Sequence, residues 1–189
     1  MFEDYSERLF AHFVAGRWRA PFAASPLVLT DATGCPLGQI VPASAADLAR
    51  AQAALRGADD ADCQRAAQCL LQGADWLARA IALQTGARPG HEEIAQMARQ
   101  IATPRTGSAG VISRALPFVD SNATLGEALG AGLRGGVIWC PVPDQAIFAT
   151  TLAQLFQQAD LPAGAFNLVH ASVPQTRAAL RPLGLRELG

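Results

Sequence analysis

Two buried-looking strands flank a helix near the C-terminal end of the chain. Val137–Cys140 is a short apolar run that ends at a proline turn, and Ala165–His170 is a second apolar run. Between them, residues recur at helical spacing and predict one helix, along Ile147, Thr151, Leu152, Leu155, Phe156 and Ala159. A strand, a crossover helix and a second strand within this length predict a right-handed βαβ unit. The fold class is therefore expected to be α/β, with helices flanking a short parallel sheet.

Short strands also occur early in the chain. Phe13–Arg19 alternates large apolar residues with small or polar ones, and Leu27–Thr30 resumes the pattern after Pro21. Gly38–Pro42 supplies a third apolar piece. These segments predict three short strands joined by turns, and we expect them to form a small antiparallel layer before the helices.

Helix signals follow these strands. Ser44 and Asp47 have the spacing of a capping box, and the helix they open should stop near Gly57. Carboxylates at Asp59–Asp62 crowd the start of a second helix, where they favour the positive end of the helix dipole, and Gly86 should end it. The second helix has its apolar stripe along Ala66, Leu70, Ala74, Leu77 and Ile81.

Two further helices are predicted around an irregular stretch. Ile94–Ile101 carries a helical stripe that Pro104 closes, and Leu125, Leu129 and Leu133 indicate a helix further on. Ser172 precedes Pro174 and can cap a last helix.

The division into parts follows from this pattern. We expect one domain over 1–189, in which strands and helices over 1–102 precede an irregular connector over 103–122. The βαβ unit then occupies 123–189.

Composition excludes several classes of function. A formal net charge of −1 and singly scattered arginines predict no binding to nucleic acid. Four cysteines without a C-x-x-C and three histidines give no zinc-site spacing, so no metal site is expected. His91 beside two glutamates is interpreted as a helix N-terminus.

The first residues and the hydropathy pattern point to the cytoplasm. The opening segment is acidic where a secretory signal would be basic, and no apolar run reaches the roughly 18 residues that a membrane span needs. We therefore expect a cytoplasmic protein that does not enter a membrane.

The chain contains no lysine, since all fifteen of its basic residues are arginines. This excludes Schiff-base catalysis and any lysine ammonium that would hold a phosphate or a ribose hydroxyl. Base-composition drift in a GC-rich genome explains the absence equally well, although a catalytic lysine would have resisted such drift.

The order of several short motifs resembles the N-terminal part of the aldehyde dehydrogenase superfamily. Phe13–Trp18 is similar to the family's F-I-x-G-x-W strand, and Asp31–Ile40 resembles its N-P-A-T-G-E-x-I turn. Pro42–Ala51 resembles the helix start that follows, and Leu83–Pro89 resembles E-T-G-K-P.

The resemblance continues through the βαβ unit. Ala128–Gly132 is similar to A-L-A-A-G, and Ala159–Val169 resembles A-G-L-P-x-G-V-x-N-V-V. Each piece is weak alone, but they occur in the family's order over 13–170. The resemblance implies a truncated, Rossmann-like version of the family's fold.

The departures from the family pattern bear on activity. The P-W-N tripeptide, whose asparagine helps to hold the oxyanion, does not occur in the chain. Cys140 stands where the family's lysine binds the adenine ribose, so the resemblance implies only a vestigial cofactor site at Trp139, Cys140 and Pro141. The family's glutamate base and nucleophilic cysteine belong to a half that the chain does not contain, and no catalytic residue can be assigned. Cys140 itself is expected to be a buried, unreactive thiol.

Two functions remain open at this point. The first is a non-catalytic, aldehyde-dehydrogenase-like structural or interaction module without a bound cofactor, accessory to an intact aldehyde dehydrogenase. The alternative is a split subunit or fragment of an NAD(P)-dependent aldehyde dehydrogenase, an oxidoreductase that another chain completes. A standalone adenine-nucleotide sensor ranks below both, because no glycine-rich phosphate turn follows Val137–Cys140.

Association with a partner is expected in either case. The helix after Pro143 carries apolar residues on two faces, namely Phe148, Leu152, Leu155 and Phe156. A single small sheet buries only one of these faces. We therefore predict a homo-oligomer or a complex with a larger protein, with this helix or the strand around Phe166 in the interface.

Overall fold

The computed structural model describes residues 11–23, 25–87, 89–112, 125–171 and 185–188. Its main feature is a six-stranded sheet with the strand order β2-β1-β7-β6-β5-β8. The strands are β1 (His12–Val14), β2 (Arg17–Arg19), β5 (Gly110–Ile112), β6 (Val137–Trp139), β7 (Phe166–Leu168) and β8 (Arg186–Glu187). β7, β6, β5 and β8 run parallel, whereas β1 pairs antiparallel with both β7 and β2. The expected α/β fold with a parallel core is thus confirmed.

The three central strands are buried along their whole length, because helices cover both faces of the sheet. Every residue of β5, β6 and β7 is buried. A strand covered on both faces is apolar at successive positions and does not alternate, which is the pattern that Val137–Trp139 shows. The βαβ prediction is confirmed, since β6 and β7 are parallel neighbours on either side of one helix.

The N-terminal segment contains one more strand than the sequence pattern predicted. Phe13–Arg19 was expected to be a single strand, but it folds back as the hairpin of β1 and β2. Ala15 and Gly16 form the turn with φ of 54° and 73°, and left-handed backbone at both positions is what a two-residue hairpin turn requires. The antiparallel character of the segment is confirmed.

A second, separate sheet consists of β3 (Leu27–Thr30) and β4 (Pro36–Ile40). Asp31 organises the turn between them, because its Oδ1 accepts the backbone N–H of Thr33 at 2.8 Å and that of Cys35 at 2.9 Å. Leu29 and Ile40 anchor this hairpin in the core.

Six helices pack around the main sheet among the described residues. They are α1 (Ala45–Ala53), α2 (Asp60–Gln72), α3 (Ala74–Thr85), α4 (His91–Ala102), α5 (Leu125–Gly135) and α6 (Ala146–Gln158). The predicted capping box at Ser44 and Asp47 is present at the start of α1, and Asp59 with Asp62 forms a second one at α2. His91 begins α4, as expected for a helix N-terminus.

The second predicted helix is in fact two helices. The apolar stripe from Ala66 to Ile81 predicted one continuous helix, but α2 ends and α3 begins on either side of Gly73. A Cβ at Gly73 would lie 2.5 Å from Leu155 Cδ2 on α6. The chain therefore changes direction at a glycine that packs closely against the Leu155 side chain of α6.

The connector predicted over 103–122 is not irregular throughout. β5 lies within it and forms a central strand of the sheet. Three residues are too few to show periodicity, and this segment becomes a strand only because β6 and β8 pair with its two edges. The predicted last helix at Ser172 lies outside the described residues, and the division into 1–102 and 123–189 stays a prediction.

The core consists of two apolar layers, one on each face of the sheet. The larger layer lies between the sheet and α2 to α6, and it contains Phe13, Trp139, Phe148 and Phe166. The smaller layer lies on the α1 side, where Leu48 and Ala51 meet Val111, Ile138 and Val169.

Candidate functional site

The carboxyl ends of β5, β6 and β7 form the edge of the sheet at which open α/β folds bind ligands. The chain runs from β5 outward to β7 and then returns to β8 on the opposite side of β5. The direction of winding thus reverses between β5 and β8. The three residues predicted as a vestigial cofactor site, Trp139, Cys140 and Pro141, lie at the end of β6 at this edge.

Trp139 points into the larger apolar layer. Its ring packs edge-on against Phe148 and Phe166, with centroid distances of 5.6 and 6.4 Å. The indole Nε1 has no hydrogen-bond partner within the described part of the chain. Trp139 therefore serves as a core residue and presents no surface to a ligand.

Cys140 faces the opposite, smaller layer. Its backbone N–H donates to the carbonyl of Ile112 at 2.7 Å, which extends the pairing of β6 with β5 by one residue. The side chain is 1% exposed and belongs to the apolar cluster that contains Ile138, Val169 and Leu48. The thiol is buried, as the sequence predicts.

A buried glutamine fixes the turn that follows Pro141. Gln84, near the end of α3, donates from Nε2 to the carbonyl of Pro143 at 2.9 Å. Its Oε1 accepts the backbone N–H of Ile147 at 2.7 Å. The carboxamide therefore satisfies a free N–H in the first turn of α6 and ties the Pro143–Gln145 turn to α3.

Sequence reasoning missed Gln84, although a signal was present. Leu77, Ile81 and Gln84 follow one another at the spacing of a single helix face. Leu77 and Ile81 are core residues, so a polar residue at the next position of that face needs a buried partner.

A second polar group at this edge was also missed. His12, Asp47 and His170 are all buried, and they come from β1, α1 and the segment after β7. The backbone N–H of His170 donates to His12 Nδ1 at 3.3 Å, and His12 Nε2 lies 4.0 Å from Asp47 Oδ2. The two rings are 5.9 Å apart.

Burial lowers the pKa of both imidazoles. The pKa of His12 falls to about 4, chiefly through burial, with the Asp47 carboxylate opposing the fall and the Arg50 guanidinium adding to it. The pKa of His170 falls to about 3 through burial and, to a smaller extent, through His12. Both rings are therefore neutral at neutral pH.

Asp47 is held by donors other than the imidazoles. Its carboxylate accepts the backbone N–H groups of Phe22 at 3.2 Å and Ser44 at 2.9 Å. It also pairs with Arg50, whose Nη2 lies 2.9 Å from Oδ1. Asp47, in the first turn of α1, thus joins that helix to the segment after β2.

The described residues at the end of β6 do not offer the ribose contact that the family resemblance implies. In the family that the sequence resembles, a lysine at the end of this strand binds the adenine ribose, whereas the side chains of Trp139 and Cys140 are packed inward here. Cys140 lies in an apolar layer, and Trp139 in another. The polar groups nearby, on Gln84 and Asp47, are already hydrogen-bonded within the protein.

The expected free apolar face of α6 does not exist. Phe148, Leu152, Leu155 and Phe156 are all at most 2% exposed, because α2 and α3 cover the side of the helix that the sheet leaves open. The prediction that this helix forms an interface is therefore wrong, and so is its extension to Phe166, which is also buried.

One cavity lies away from this edge, and the side chains described next do not supply the groups that a site needs. A cavity of about 290 Å³ lies at the opposite, amino ends of the strands, lined by Phe13, Phe156, Asp160 and Phe166 among others. Within the described ranges no group of three or more His, Cys, Asp or Glu side chains is arranged so that it could hold a metal ion. Burial raises the pKa of the Cys63 thiol.

No described helix combines the length and the apolar character that crossing a bilayer requires.

Comparison with solved structures identifies the architecture. HpcC from Thermus thermophilus superposes on 95% of the chain with a TM-score of 0.76 and 24% identity. Aldehyde dehydrogenase C from Pseudomonas syringae, in a mutant form solved with NAD+ and octanal, covers 92% of the chain with a TM-score of 0.74 and 23% identity. The chain spans 43% of the length of each of these proteins. Among curated proteins, none matches the chain.

A match to a family model agrees with this architecture. The model of the aldehyde dehydrogenase family matches residues 36–181, which is more than half of the chain. The match includes α1 to α6 and the parallel strands β5 to β7. The chain therefore belongs to the aldehyde dehydrogenase family.

Proposed function

We propose that this chain is a non-catalytic aldehyde-dehydrogenase-like module that acts through association with another protein. The observation that supports the non-catalytic part of the proposal is the state of Cys140, which is buried in an apolar layer where the family resemblance places a ribose-binding lysine. A side chain in that position cannot reach a ligand outside the sheet.

The loss of one charged contact has a calculable effect on cofactor binding. A hydrogen bond to a charged group is worth about 1.5–3 kcal/mol, so its absence lowers affinity roughly tenfold to a hundredfold. We propose that neither NAD nor NADP is a resident cofactor of the isolated chain.

Calorimetric titration of the isolated chain with NAD and NADP tests this proposal, with an intact aldehyde dehydrogenase as the positive control. We expect no binding in the micromolar range. An assay with several aliphatic and aromatic aldehydes should show no more turnover than a Cys140→Ser variant. Micromolar binding of either dinucleotide, or turnover above that control, would overturn the proposal.

The partner of such a module is proposed to be an intact aldehyde dehydrogenase or a second copy of the chain. Co-purification from the native host tests this directly. An intact family member recovered with the chain supports the accessory role. A monomer in light scattering at high concentration, with no protein recovered, contradicts it.

A second candidate function is suggested by the share of the relatives that the chain spans. The chain superposes over more than nine-tenths of its length but spans only 43% of HpcC and of aldehyde dehydrogenase C. This relation is compatible with a split subunit or a fragment of an NAD(P)-dependent aldehyde dehydrogenase. Co-expression with a chain that carries the remaining half tests the alternative, because only a split enzyme would gain dinucleotide-dependent aldehyde oxidation.

A further inference from the structure

Neither the fold nor the proposed function accounts for the buried polar side chains at the end of β7. His12 and His170 join β1 to the segment after β7, 158 residues apart in sequence. Three of their four ring nitrogens, His12 Nε2 and both nitrogens of His170, are buried and have no hydrogen-bond partner among the described residues. Buried polar atoms are satisfied in most proteins, so three such atoms together require an explanation.

The contacts of His12 determine which ring nitrogen carries the proton of the neutral imidazole. Its Nδ1 accepts the backbone N–H of His170, so the proton of the neutral ring lies on Nε2. A second proton could enter only at Nδ1, where it would break this hydrogen bond. Asp47 cannot compensate fully, because its carboxylate already accepts from Ser44 and pairs with Arg50.

His170 is still less able to hold a proton. The ring is 1% exposed, and the titratable group that faces it is the His12 ring. The charged groups that face His12 from α1 are Asp47 and Arg50. An imidazolium at His170 would be buried with no acceptor among the described residues, and exposure to water would relieve it.

The contacts around the two rings define what would have to move. The carbonyl of His170 accepts the N–H of Ala43 at 2.5 Å, and β1 pairs with β7 through Phe13 and Leu168. Exposing the rings to water requires these contacts to separate. The β1–β2 hairpin and the start of α1 would then leave the end of β7.

We propose that His12, Asp47 and His170 form an acid-sensitive latch that holds the β1–β2 hairpin and α1 on the end of β7 at neutral pH and releases them when the imidazoles take up protons. The inference does not depend on the proposed function, because it concerns only contacts within the chain. The latch is closed while both rings are neutral. Proton uptake favours the open form because the rings regain water only there.

The direction of the effect follows from the two pKa values. Both lie below the ordinary value of 6.5, so the open form binds protons more tightly than the closed form. The latch is therefore stable above about pH 6.5 and weakens as the pH falls toward about 4, the folded pKa of His12. Within this interval the opening constant should rise about tenfold per pH unit for each proton taken up.

Nuclear magnetic resonance of the whole ¹⁵N-labelled chain tests the proposal, with amide signals of β1 and β2 followed against those of β6 and α5 during acidification. We expect the hairpin signals to change at a higher pH than the core signals and to recover on neutralisation.

The opening constant should rise about a hundredfold per pH unit in the wild type and about tenfold in a His170→Gln variant, because opening of the variant takes up one proton fewer. A His91→Gln variant is the matched control, since that side chain is 73% exposed and pairs with Asp75 instead of a latch residue, and its slope should equal the wild-type slope.

Three results would overturn the latch. The first is simultaneous loss of hairpin and core signals, which indicates global acid unfolding. The second is an equal slope in the wild type and in His170→Gln. Should that variant fail to fold, the ring signals of His12 and His170 in the wild type decide the question. They must change together with the hairpin amides, and titration of either ring while the hairpin amides stay unchanged is the third contradicting result.

Discussion

The side chain of Gln84 on α3 accepts the backbone N–H of Ile147 on α6 at 2.7 Å, and this hydrogen bond joins two helices 63 residues apart in sequence. The same carboxamide donates to the carbonyl of Pro143. One side chain therefore sets where α6 begins relative to the end of β6. The geometry of the βαβ unit depends on a residue outside it.

Replacement of Gln84 by leucine should destabilise the chain by about 1–3 kcal/mol, because the buried N–H of Ile147 would lose its acceptor. The free energy of unfolding in urea measures this cost. Gln96→Leu is the matched control, since Gln96 is exposed on α4 and the same change there should stay within about 0.5 kcal/mol. Equal effects of the two substitutions would contradict the bridging role.

Replacement of Ala15 by glycine should stabilise the chain by about 1 kcal/mol. Ala15 has φ of 54°, and a left-handed backbone costs an L-residue roughly 1–2 kcal/mol, part of which the greater freedom of glycine in the unfolded chain offsets. Ala49→Gly, at an exposed position within α1, should instead destabilise by about 1 kcal/mol. Thermal unfolding of both variants should therefore shift in opposite directions, and a shift in the same direction would be inconsistent with strain at Ala15.

Introduction of lysine at Cys140 should not create a cofactor site. The position is 1% exposed in an apolar layer, so an ammonium there would lower stability by about 3–5 kcal/mol. Cys35→Lys is the control, because Cys35 is exposed and its substitution should change stability by less than about 0.5 kcal/mol. Urea unfolding and calorimetry with NAD measure both outcomes. A stable Cys140→Lys variant with tight NAD binding would show that the strand end is open to ligand.

Two glycines with left-handed backbone should differ in their tolerance of alanine. A Cβ at Gly164 would lie 1.8 Å from the carbonyl oxygen of Ala54, whereas a Cβ at Gly34 would have no atom within 4 Å. Gly34→Ala should cost only the backbone strain of about 1–2 kcal/mol. Gly164→Ala should cost more than about 4 kcal/mol or abolish folding, because backbone atoms must also move apart. Comparable soluble yields and unfolding midpoints for the two variants would refute this difference.

Local signals in the chain were sufficient for much of the secondary structure. The capping box at Ser44 and Asp47 depends on residues three apart, and the apolar stripe of α6 depends on spacing within one helix. The order of the motifs also led to the correct family. Such features can be predicted from the sequence because the residues that produce them lie within a few positions of one another.

Other features needed long-range contacts. The break between α2 and α3 lies at Gly73, where the Leu155 side chain of α6 packs closely, and the strand β5 depends on its neighbours β6 and β8. The burial of α6 on both sides was missed for the same reason, because helical periodicity does not indicate which other helices will cover a face.

The candidate site also combines features that the sequence predicted with features that only the tertiary structure shows. The family resemblance implied that Cys140 stands where that family has a lysine, and the sequence predicted the buried thiol that the structure shows. The tertiary structure alone decided that Trp139 and Cys140 face opposite apolar layers, and that His12 meets His170 across 158 residues of sequence. Spacing along a chain fixes which residues share one helix or strand, but burial and hydrogen bonding depend on which elements pack together, and that is settled by the free energy of the whole fold.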